Sequence, residues 1–320
     1  MSDELISGSI LPRLGNPALN QLLDAAIIEH GYDRFAFTID GYVVQPLQFP
    51  GGDIGRLAVS GAVNDLAMCG ADPLGIALGM ILTEGIERSL VDTVLDSVAA
   101  TAHEAGVRVI SGDTKVIGKS QGDGIYLTTA AIGIVGPIAP RPARVHVGDV
   151  LIINGTIGDH GLAVMMAREM PHVVGLVKSD VAPLNKMIRN VLTKVPGISF
   201  LRDPTGGGVA GLVVDVAKRT GLHVVLEEKL LPIREEGREA ARQLGVDPLD
   251  VANAGKVVLA VPQNYAAEVL AILKDDPKGV DATIIGRVEA GEAGTCELEL
   301  RNGGRRLLQK PSGERAARLN

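Results

Sequence analysis

A chain of 320 residues, 46% of them hydrophobic, is long enough for two domains of ordinary size, and without Trp its core has to be filled by Val, Ile, Leu and Ala. A net charge of −7, with acidic and basic residues interspersed, argues against nucleic acid as a partner. We expect a cytoplasmic protein, because no apolar run is long enough to span a membrane, no signal peptide opens the sequence, and the two cysteines are far apart.

The first half alternates strand and helix patterns around one long helical stretch. A Pro-Gly-Gly turn at residues 50–52 leads into that stretch, where apolar residues recur at three- and four-residue spacing. A second, amphipathic helix is predicted over residues 89–103 and stops at Gly106. Strands are predicted over residues 35–38, 42–44, 74–82, 107–111 and 125–135. This order of elements indicates an α/β (α+β) domain.

Three prolines within residues 137–142 mark the best linker candidate in the chain, and we place the domain boundary there. The sequence thus predicts an N-terminal domain over residues 1–140, a C-terminal α/β domain over 141–311 and a mobile tail over 312–320. Helices of the second domain are predicted over residues 161–168, 183–193, 235–244 and 265–273, with another after the glycine run 206–208. Its strands are predicted over residues 149–154, 223–226, 256–261 and 283–288, followed by a hairpin of 297–300 and 305–308.

Two glycine-rich turns precede helices and are candidates for phosphate binding. Gly51 and Gly52 remove side chains where the chain enters the long helix, which leaves backbone N–H groups available to an anion. The glycine run 206–208 precedes a second helix in the same way. Asp203 and Thr205, just before this run, either contact substrate or cap the helix. Neither half contains a GxGxxG or a GxxxxGK[ST] loop, so Rossmann and P-loop assignments are poor.

Four aspartates interrupt or end strongly apolar segments, where we expect a strand or helix to meet a loop: Asp24, Asp40, Asp65 and Asp113. Such carboxylates repel one another unless they lie apart or share a hard cation. Mg²⁺ takes oxygen ligands of this kind, together with substrate phosphates. Lys115 follows Asp113 by two residues and would place a cation beside phosphate oxygens. The alternative for each aspartate is a solvated position on the surface of its element.

Six motifs carry a resemblance to a known family: FPGGDIGRLAVSGAVNDLAMCGA, SGDTKV, GDHG, DPTGGG, LGVDPLDVANAGK and a closing SGE. They resemble the hydrogenase maturation factors of the HypE family, which belong with the aminoimidazole-ribonucleotide-synthetase-like, or PurM-like, ATP enzymes. The likeness runs through nearly the whole chain. It implies two PurM-like domains, an N-terminal mixed sheet with helices that dimerises through its strands and a C-terminal α/β sandwich. Mg-ATP would lie in the cleft between them.

The resemblance also implies site residues. The metal would be held by Asp24, Asp40, Asp65 and Asp113, and the catalytic residues would be Asp65 and Lys115. The positions expected to bind nucleotide are Gly51, Gly52, Asn64, Asp113, Thr114, Lys115, Asp203, Thr205, Gly207 and Gly208.

The activity implied by the resemblance is an ATP-dependent carbamoyl dehydration in the maturation of [NiFe]-hydrogenase. ATP would activate the amide oxygen of a carbamoyl group as a phosphate ester, and elimination would leave a nitrile that supplies the cyanide ligands of the iron. The implied partners are a second copy of the chain, a HypF-type carbamoyltransferase and a HypC–HypD-type complex.

Four departures from the family pattern bear on that activity. The sequence closes on Asn320, where the family carries its carbamoyl group on a cysteine, and an amide is a far weaker nucleophile than a thiolate. Ala254 replaces a family Glu that could serve as the base for elimination. Gly206 replaces a family Arg placed to steady phosphate charge. The sequence also starts about where the family's His- and Gly-rich N-terminal loop should have ended.

Three hypotheses stay open on the sequence. The chain is a family enzyme whose carbamoyl group is carried by a partner or as a free amide, or it is a non-catalytic paralog that serves as a nucleotide-binding scaffold or dimer partner. The third hypothesis is another amide- or acid-activating ATP enzyme of the same superfamily. Retention of all four aspartates favours a nucleotide role, whereas Ala254, Gly206 and Asn320 together favour altered or absent dehydration.

Overall fold

Two β-sheets, one in each half of the chain, organise the molecule. The computed structural model describes residues 5–140, 144–173 and 175–311, so the tail predicted over 312–320, with Asn320, lies outside the described residues. The strands of the first half are β1 (Ala26–His30), β2 (Asp33–Tyr42), β3 (Gln48–Phe49), β4 (Gly52–Asp53), β5 (Ala71–Thr83), β6 (Val109–Ile117) and β7 (Ile125–Val135). Five of them form one sheet in the order β1-β2-β7-β5-β6, and β3 pairs with β4.

The first sheet is mixed, because β5 and β6 run parallel while its other neighbours are antiparallel. Helices α1 (Ile54–Met68) and α2 (Arg88–Ala105) lie on one of its faces. Small residues allow the close approach: Ala58 and Ala62 of α1 are fully buried. A Cβ on Gly55 would stand 2.5 Å from the carbonyl oxygen of Val94 in α2, so the two helices could not lie this close with any other residue there.

The other face of the first sheet, called the bare face below, is left uncovered by the described part of the chain and carries exposed apolar side chains. Phe37, Ile39, Ile81 and Ile134 are 40%, 64%, 41% and 46% exposed. The strand registers place all four on the side away from α1, because side chains alternate between faces along each strand. An open sheet face with this many exposed apolar side chains is typical of an association surface.

The second half forms a seven-stranded sheet in the order β14-β13-β10-β12-β8-β11-β9. Its strands are β8 (Asp149–Ile153), β9 (Phe200–Arg202), β10 (His223–Glu227), β11 (Val258–Pro262), β12 (Thr283–Glu289), β13 (Cys296–Glu299) and β14 (Arg305–Leu307). The helices are α3 (Asp159–Glu169), α4 (Asn185–Lys194), α5 (Gly208–Thr220), α6 (Glu235–Leu244) and α7 (Ala266–Lys274).

Both faces of the second sheet are covered. Leu151 and Ile153 of β8 pack in a cluster with the apolar side of α5, whereas Val150 and Ile152 pack with α4 and α7. Every residue of β8 is buried, as expected for a strand between two helical layers. Ala67 and Met68 at the end of α1 join the α4 side of this core, so the two halves share packed apolar surface. In the part of the chain described here, no helix is both long and apolar enough to cross a membrane.

Most predicted elements are confirmed within a few residues, but the bounds of three predicted strands were wrong. The segments 35–38 and 42–44 form one strand, β2, and the strand predicted over 107–111 runs to Ile117. Four strands, β1, β3, β4 and β9, were missed. Asp40 and Asp113 therefore lie inside strands rather than at their ends. The domain boundary at residue 140 stays a prediction, with β7 and β8 on either side of it.

Candidate functional site

Three aspartates from separate parts of the sequence line one cavity between the two halves of the chain. Asp40 of β2 and Asp65 of α1 come from the first half, and Asp203 directly follows β9 in the second. The cavity measures about 180 Å³, and its other lining residues are Gly41, Tyr42, Leu57, Gly61, Thr205 and Ala254. The fold thus brings together two of the four aspartates expected to bind metal, along with one expected to bind nucleotide.

The local structure fixes the carboxylate of Asp65 against β2. α1 begins after Asp53, whose side chain accepts a hydrogen bond from the backbone N–H of Arg56 (2.8 Å). Asp65 lies near the end of α1, and Thr38 Oγ1 donates a hydrogen bond to its Oδ2 (2.7 Å). Thr38 and Asp40 are two residues apart on β2, so both side chains point towards α1.

Tyr42 is a residue of this cavity that sequence reasoning missed. Its hydroxyl donates a hydrogen bond to Asp40 Oδ2 (3.2 Å) and lies against Gly61 of α1. Burial raises the pKa of Tyr42 well above its ordinary value, and the charges of Asp40 and Asp65 raise it further. The signal that could have found it is its two-residue spacing from Asp40 within one strand, which puts both side chains on one face.

Asp24 lies beside the cavity rather than in its lining. It precedes β1 and forms an ion pair with Arg202, whose Nε is 3.0 Å from Asp24 Oδ1; the side chain of Asp24 is 13% exposed. Burial raises the pKa of Asp24, although the charge of Arg202 opposes the rise. Arg202 is the second residue that the sequence analysis missed, and it comes immediately before Asp203 in the chain.

Two carboxylates of the cavity, Asp65 and Asp203, have raised pKa values. Burial raises the pKa of Asp65 well above its usual range, and the charges of Asp203, Asp40 and Asp24 add to the rise. Burial, with the charge of Asp24, raises the pKa of Asp203 from 3.8 to about 8. Mutual repulsion of this kind is what a bound cation would relieve.

The donor set suits Mg²⁺, which prefers oxygen ligands and is commonly held by one or two carboxylates plus substrate phosphates. Within residues 5–140, 144–173 and 175–311, no group of three or more His, Cys, Asp or Glu side chains is placed to hold an ion by itself. Asp40 and Asp65 fit the part of two carboxylates that leave the remaining coordination positions to phosphate oxygens and water. Prediction of Asp24 as a further direct ligand has no such support, because its carboxylate is paired with Arg202.

Within one chain, Asp113, Thr114 and Lys115 do not reach this cavity. All three lie on the exposed edge strand β6, where Lys115 Nζ is 3.1 Å from Asp113 Oδ2. The register runs from Asp113 through β5 and β7 to Gly41, three strand spacings or about 14 Å away. Asp113 also points to the bare face of the sheet, opposite Asp40. The expectation that it joins the other aspartates fails for a single chain.

Gly51 and Gly52 serve a junction between the halves in this structure. Gly51 has a φ of +94°, and a Cβ there would stand 2.6 Å from the carbonyl oxygen of Ser179. A Cβ on Gly52 would stand 2.6 Å from Val181. At the first turn of α1, the Asp53 carboxylate already accepts the backbone N–H of Arg56. Close backbone packing explains these two glycines without a phosphate.

Asn64 likewise faces the second half of the chain and not the cavity. It is 1% exposed, its Oδ1 accepts the N–H of Leu184 (2.7 Å), and its Nδ2 donates to the carbonyls of Ala182 (3.1 Å) and Ala254 (3.4 Å). Its hydrogen-bonding groups are thus engaged in joining the two halves. The prediction that Asn64 binds nucleotide finds no support in this geometry.

The glycine run before α5 lies near the cavity, and Lys310 and Pro311 pack close to its Gly207. Gly207 is the N-cap residue, with φ +76°, and within the described residues no side-chain hydrogen bond caps the helix, so the alternative in which Asp203 or Thr205 caps it is wrong. Gly206 has open space around its Cα, whereas Gly208 is held against the carbonyls of Leu249 and Val251. Thr205 is exposed and lines the cavity with Asp203.

Ala254 is part of the cavity wall, at the position where the resemblance expects a carboxylate. It is 9% exposed, and its backbone N–H donates to Asp180 Oδ1 (3.3 Å). Asp180 in turn forms a buried ion pair with Lys256 (2.8 Å), which was not among the predicted site residues. The wall is therefore polar behind Ala254 but contributes no acidic side chain at Ala254 itself.

Comparison with known proteins agrees with the two-domain architecture. The models of the AIR synthase related protein N-terminal and C-terminal domains match residues 23–135 and 146–299. Carbamoyl dehydratase HypE of Rhodobacter capsulatus is 41% identical over 300 residues, which cover 93% of this chain and 88% of that protein. These matches confirm the predicted PurM-like fold class.

Solved structures of HypE superpose over almost the whole chain. A crystal structure of a HypE–HypF complex matches with a TM-score of 0.90 and 39% identity, covering 96% of this chain and 99% of that chain. HypE in complex with ATP matches with a TM-score of 0.85 and 37% identity, covering 100% and 96%. The aspartate-lined cavity thus occurs in a chain whose sequence and fold both match HypE throughout. This chain belongs to the HypE family of the AIR synthase related proteins.

Proposed function

We propose that this protein is an ATP-dependent carbamoyl dehydratase of [NiFe]-hydrogenase maturation. The observation that carries the proposal is the cavity between the two halves, where Asp40, Asp65 and Asp203 converge in a member of the HypE family. Buried carboxylates with raised pKa values repel one another, and a magnesium ion that also binds a triphosphate would relieve this repulsion.

In this proposal, Asp40 and Asp65 hold the metal, and Thr38 and Tyr42 keep their carboxylates in place through the hydrogen bonds described above. Mg-ATP supplies the phosphoryl group that turns the amide oxygen into a leaving group. The uncapped N-terminus of α5 at Gly207 offers backbone N–H groups to phosphate oxygens, in the manner of other helix N-termini. The carboxamide loses its oxygen to phosphate and two protons from its nitrogen, which leaves the nitrile.

A second copy of the chain completes the site in this proposal. The bare apolar face that carries Phe37, Ile39, Ile81 and Ile134 would be covered in a symmetric homodimer. Asp113 and Lys115 lie on that face at its β6 edge, with Thr114 between them on the same strand, so pairing would carry this segment towards the cavity of the other copy. There, Lys115 would supply a positive charge for the triphosphate. The predicted metal and nucleotide roles of these residues thus depend on the dimer.

The remaining partners follow from the family. The solved HypE–HypF complex supports a HypF-type carbamoyltransferase as the source of the carbamoyl group. A HypC–HypD-type complex as acceptor of the product, a cytoplasmic location and Mg²⁺ as the metal are proposed on the resemblance.

A non-catalytic nucleotide-binding scaffold is the second candidate, and Ala254 is the observation that favours it. The cavity wall lacks a carboxylate there, and the loop before α5 has Gly206 with open space in place of an Arg. This form of the protein would bind nucleotide and a second copy without turning ATP over.

Phosphate release from ATP by the full-length protein, with HypF-type transferase and carbamoyl phosphate present, separates the two candidates. We expect Mg²⁺-dependent turnover that falls at least about tenfold in Asp65→Asn, because a charge-assisted contact to the metal is lost. Asp33→Asn, at the exposed start of the same strand that carries Asp40, is the matched control and should turn over normally. Nucleotide binding without turnover would establish the scaffold, and a fully active Asp65→Asn variant would contradict the assigned site.

A further inference from the structure

A second polar cleft lies in the C-terminal half, where β8 passes through the loop 154–158 into α3. It measures about 230 Å³. Its lining includes Asn154, Asp159, Lys178, Arg234, Lys256 and Lys278. The chain segment 254–256 separates it from the aspartate-lined cavity, with Ala254 on that cavity and Lys256 on this cleft.

Asp159 is a buried carboxylate with an unused acceptor in this cleft. The residue is 2% exposed, and within the described ranges its Oδ1 accepts no hydrogen bond. Its Oδ2 accepts the hydroxyl of Thr156 (2.5 Å), and the nearest cation, Arg234, has its Nε 3.8 Å from that same oxygen. A buried acceptor without a donor is costly, which points to a donor that arrives with a ligand.

The walls around Asp159 are joined by specific hydrogen bonds. Asn154 is fully buried and ties three wall segments together: its Nδ2 donates to the carbonyls of Gly255 (3.2 Å) and Lys278 (2.8 Å), and its Oδ1 accepts the N–H of Val257 (2.7 Å). A Cβ on Gly255 would collide with the carbonyl oxygen of Asp180. The cleft is therefore a formed cavity held by specific contacts, as ligand sites commonly are.

Cations are available at the mouth of the cleft. Lys256 and Lys278 are engaged, Lys256 with Asp180 (2.8 Å) and Lys278 with Glu104 (2.9 Å). Arg234 is 55% exposed, and its two ion pairs within the described residues, with Asp159 and Asp281, are both long at 3.8 Å. Lys178 is exposed at the lip. An anionic group could therefore bind at the mouth while a donor group reaches Asp159.

We propose that this cleft binds a small zwitterion of the amino-acid type, with its ammonium group on Asp159 and its carboxylate on Lys178 and Arg234. A purely anionic ligand would donate no hydrogen bond to Asp159 and would be repelled by the negative charge of its carboxylate. A purely cationic ligand would meet the positive charges of Arg234 and Lys178. Both charges of a zwitterion are matched by the groups present.

A second lobe of similar volume, about 230 Å³, extends the cleft on the other side of Arg234. Asp159, Lys178 and Arg234 line both lobes, and the second is also bounded by Leu176 and Val177. The side chain of the zwitterion would enter this lobe. The site consequently has room for a ligand larger than glycine.

Thermal unfolding of the full chain tests the proposal with defined probes at equal millimolar concentration: glycine, L-glutamine, L-aspartate and L-arginine, against acetate and methylammonium as single-charge probes. We expect at least one amino acid to raise the Tm, and acetate and methylammonium to leave it unchanged. Only a zwitterion pairs with both the Asp159 carboxylate and the cations Lys178 and Arg234. Isothermal titration with the active amino acid should show a Kd at least about tenfold weaker for Asp159→Asn and weaker also for Lys178→Gln.

The Asp159→Asn variant also separates a ligand-binding role from a structural one. Without ligand, we expect it to unfold at the same temperature as wild type or higher, since it removes an ill-matched buried charge. Asp96→Asn on the exposed surface of α2 is the control and should bind normally. Stabilisation by acetate alone, an unchanged Kd in both Asp159→Asn and Lys178→Gln, or no response to any amino acid would overturn the proposal. ATP turnover is a separate assay and is not required for any of these outcomes.

Discussion

At the scale of single residues, the cavity depends on how the protein tolerates several carboxylates in one place. Thr38 and Tyr42 each donate a hydrogen bond to one of them, and Arg202 neutralises Asp24 at the side. These contacts position the carboxylates without removing their mutual repulsion. Burial and the charge of Asp24 raise the pKa of Asp203, and the charge of Arg202 opposes this only in part.

The raised pKa of Asp203 makes the stability of the protein depend on pH. Below about pH 4 this group is protonated in both the folded and the unfolded chain. As pH rises from 3.8 to about 8, the unfolded chain releases the proton while the folded chain keeps it, so folding becomes less favourable. Above about pH 8 the loss is complete.

We therefore expect Asp203→Asn to raise the free energy of unfolding more at pH 8 than at pH 4.5, by at least about 1.4 kcal/mol, the value of one pKa unit. Guanidinium denaturation without divalent cation or nucleotide measures this difference, with Asp33→Asn as the control for loss of an exposed aspartate. Equal effects at the two pH values would show that Asp203 ionises normally in the folded protein.

At the scale of elements, α1 both lines the cavity and joins the two halves of the chain, and its sequence pattern does not show which residues have which role. One side supplies Asp65 to the cavity, and another joins the two halves through Asn64 and through Arg56, whose Nε donates to the carbonyl of Val181 (2.8 Å). The last residues of the helix, Ala67 and Met68, pack in the core of the second half. The geometry of the cavity is thereby tied to the packing between the halves.

Asn64→Ala tests the contribution of these contacts between the two halves. The substitution leaves the buried N–H of Leu184 and the carbonyl of Ala182 without their partner, and we expect a loss of about 2–4 kcal/mol in the free energy of unfolding. Ser60→Ala is the matched control: Ser60 is fully buried in the same helix, and in the part of the chain that is described its hydroxyl has no hydrogen-bond partner. Chemical denaturation should find Ser60→Ala neutral or stabilising. Equal losses for both variants would contradict a joining role for Asn64.

At the scale of the whole molecule, sequence patterns predicted elements well where burial follows a period, as in α2 and β8. The sequence patterns placed the end of β6 too early because the segment from Ser111 to Lys115 has no apolar side chain. Without knowledge of the adjacent strands, a polar edge strand has the same sequence pattern as a turn. Asp40, Asp65 and Asp203 could be proposed from residue chemistry, yet their convergence depends on long-range packing. The separation of Asp113 from them depends on strand order, which the pattern of a single chain does not contain.

The bare face of the first sheet is the expected interface with a second copy of the chain. Phe37, Ile39 and Ile81 expose apolar side chains on the face that also carries Asp113 and Lys115. If a second copy covers this face, a charge placed there has to be buried without a partner, which strongly disfavours association. We expect Ile39→Asp and Ile81→Glu to shift the protein from dimer to monomer in light-scattering chromatography, with secondary structure retained.

The same variants should lose Mg²⁺-dependent ATP turnover, since each cavity would then lack the Lys115 of the other copy. Val147→Asp is the control, because Val147 is 56% exposed in the second half, away from this face. A monomeric Ile39→Asp variant that still turns ATP over would show that one chain suffices for catalysis. Lys115 would then have no part in the site, and the exposed apolar face would need another explanation.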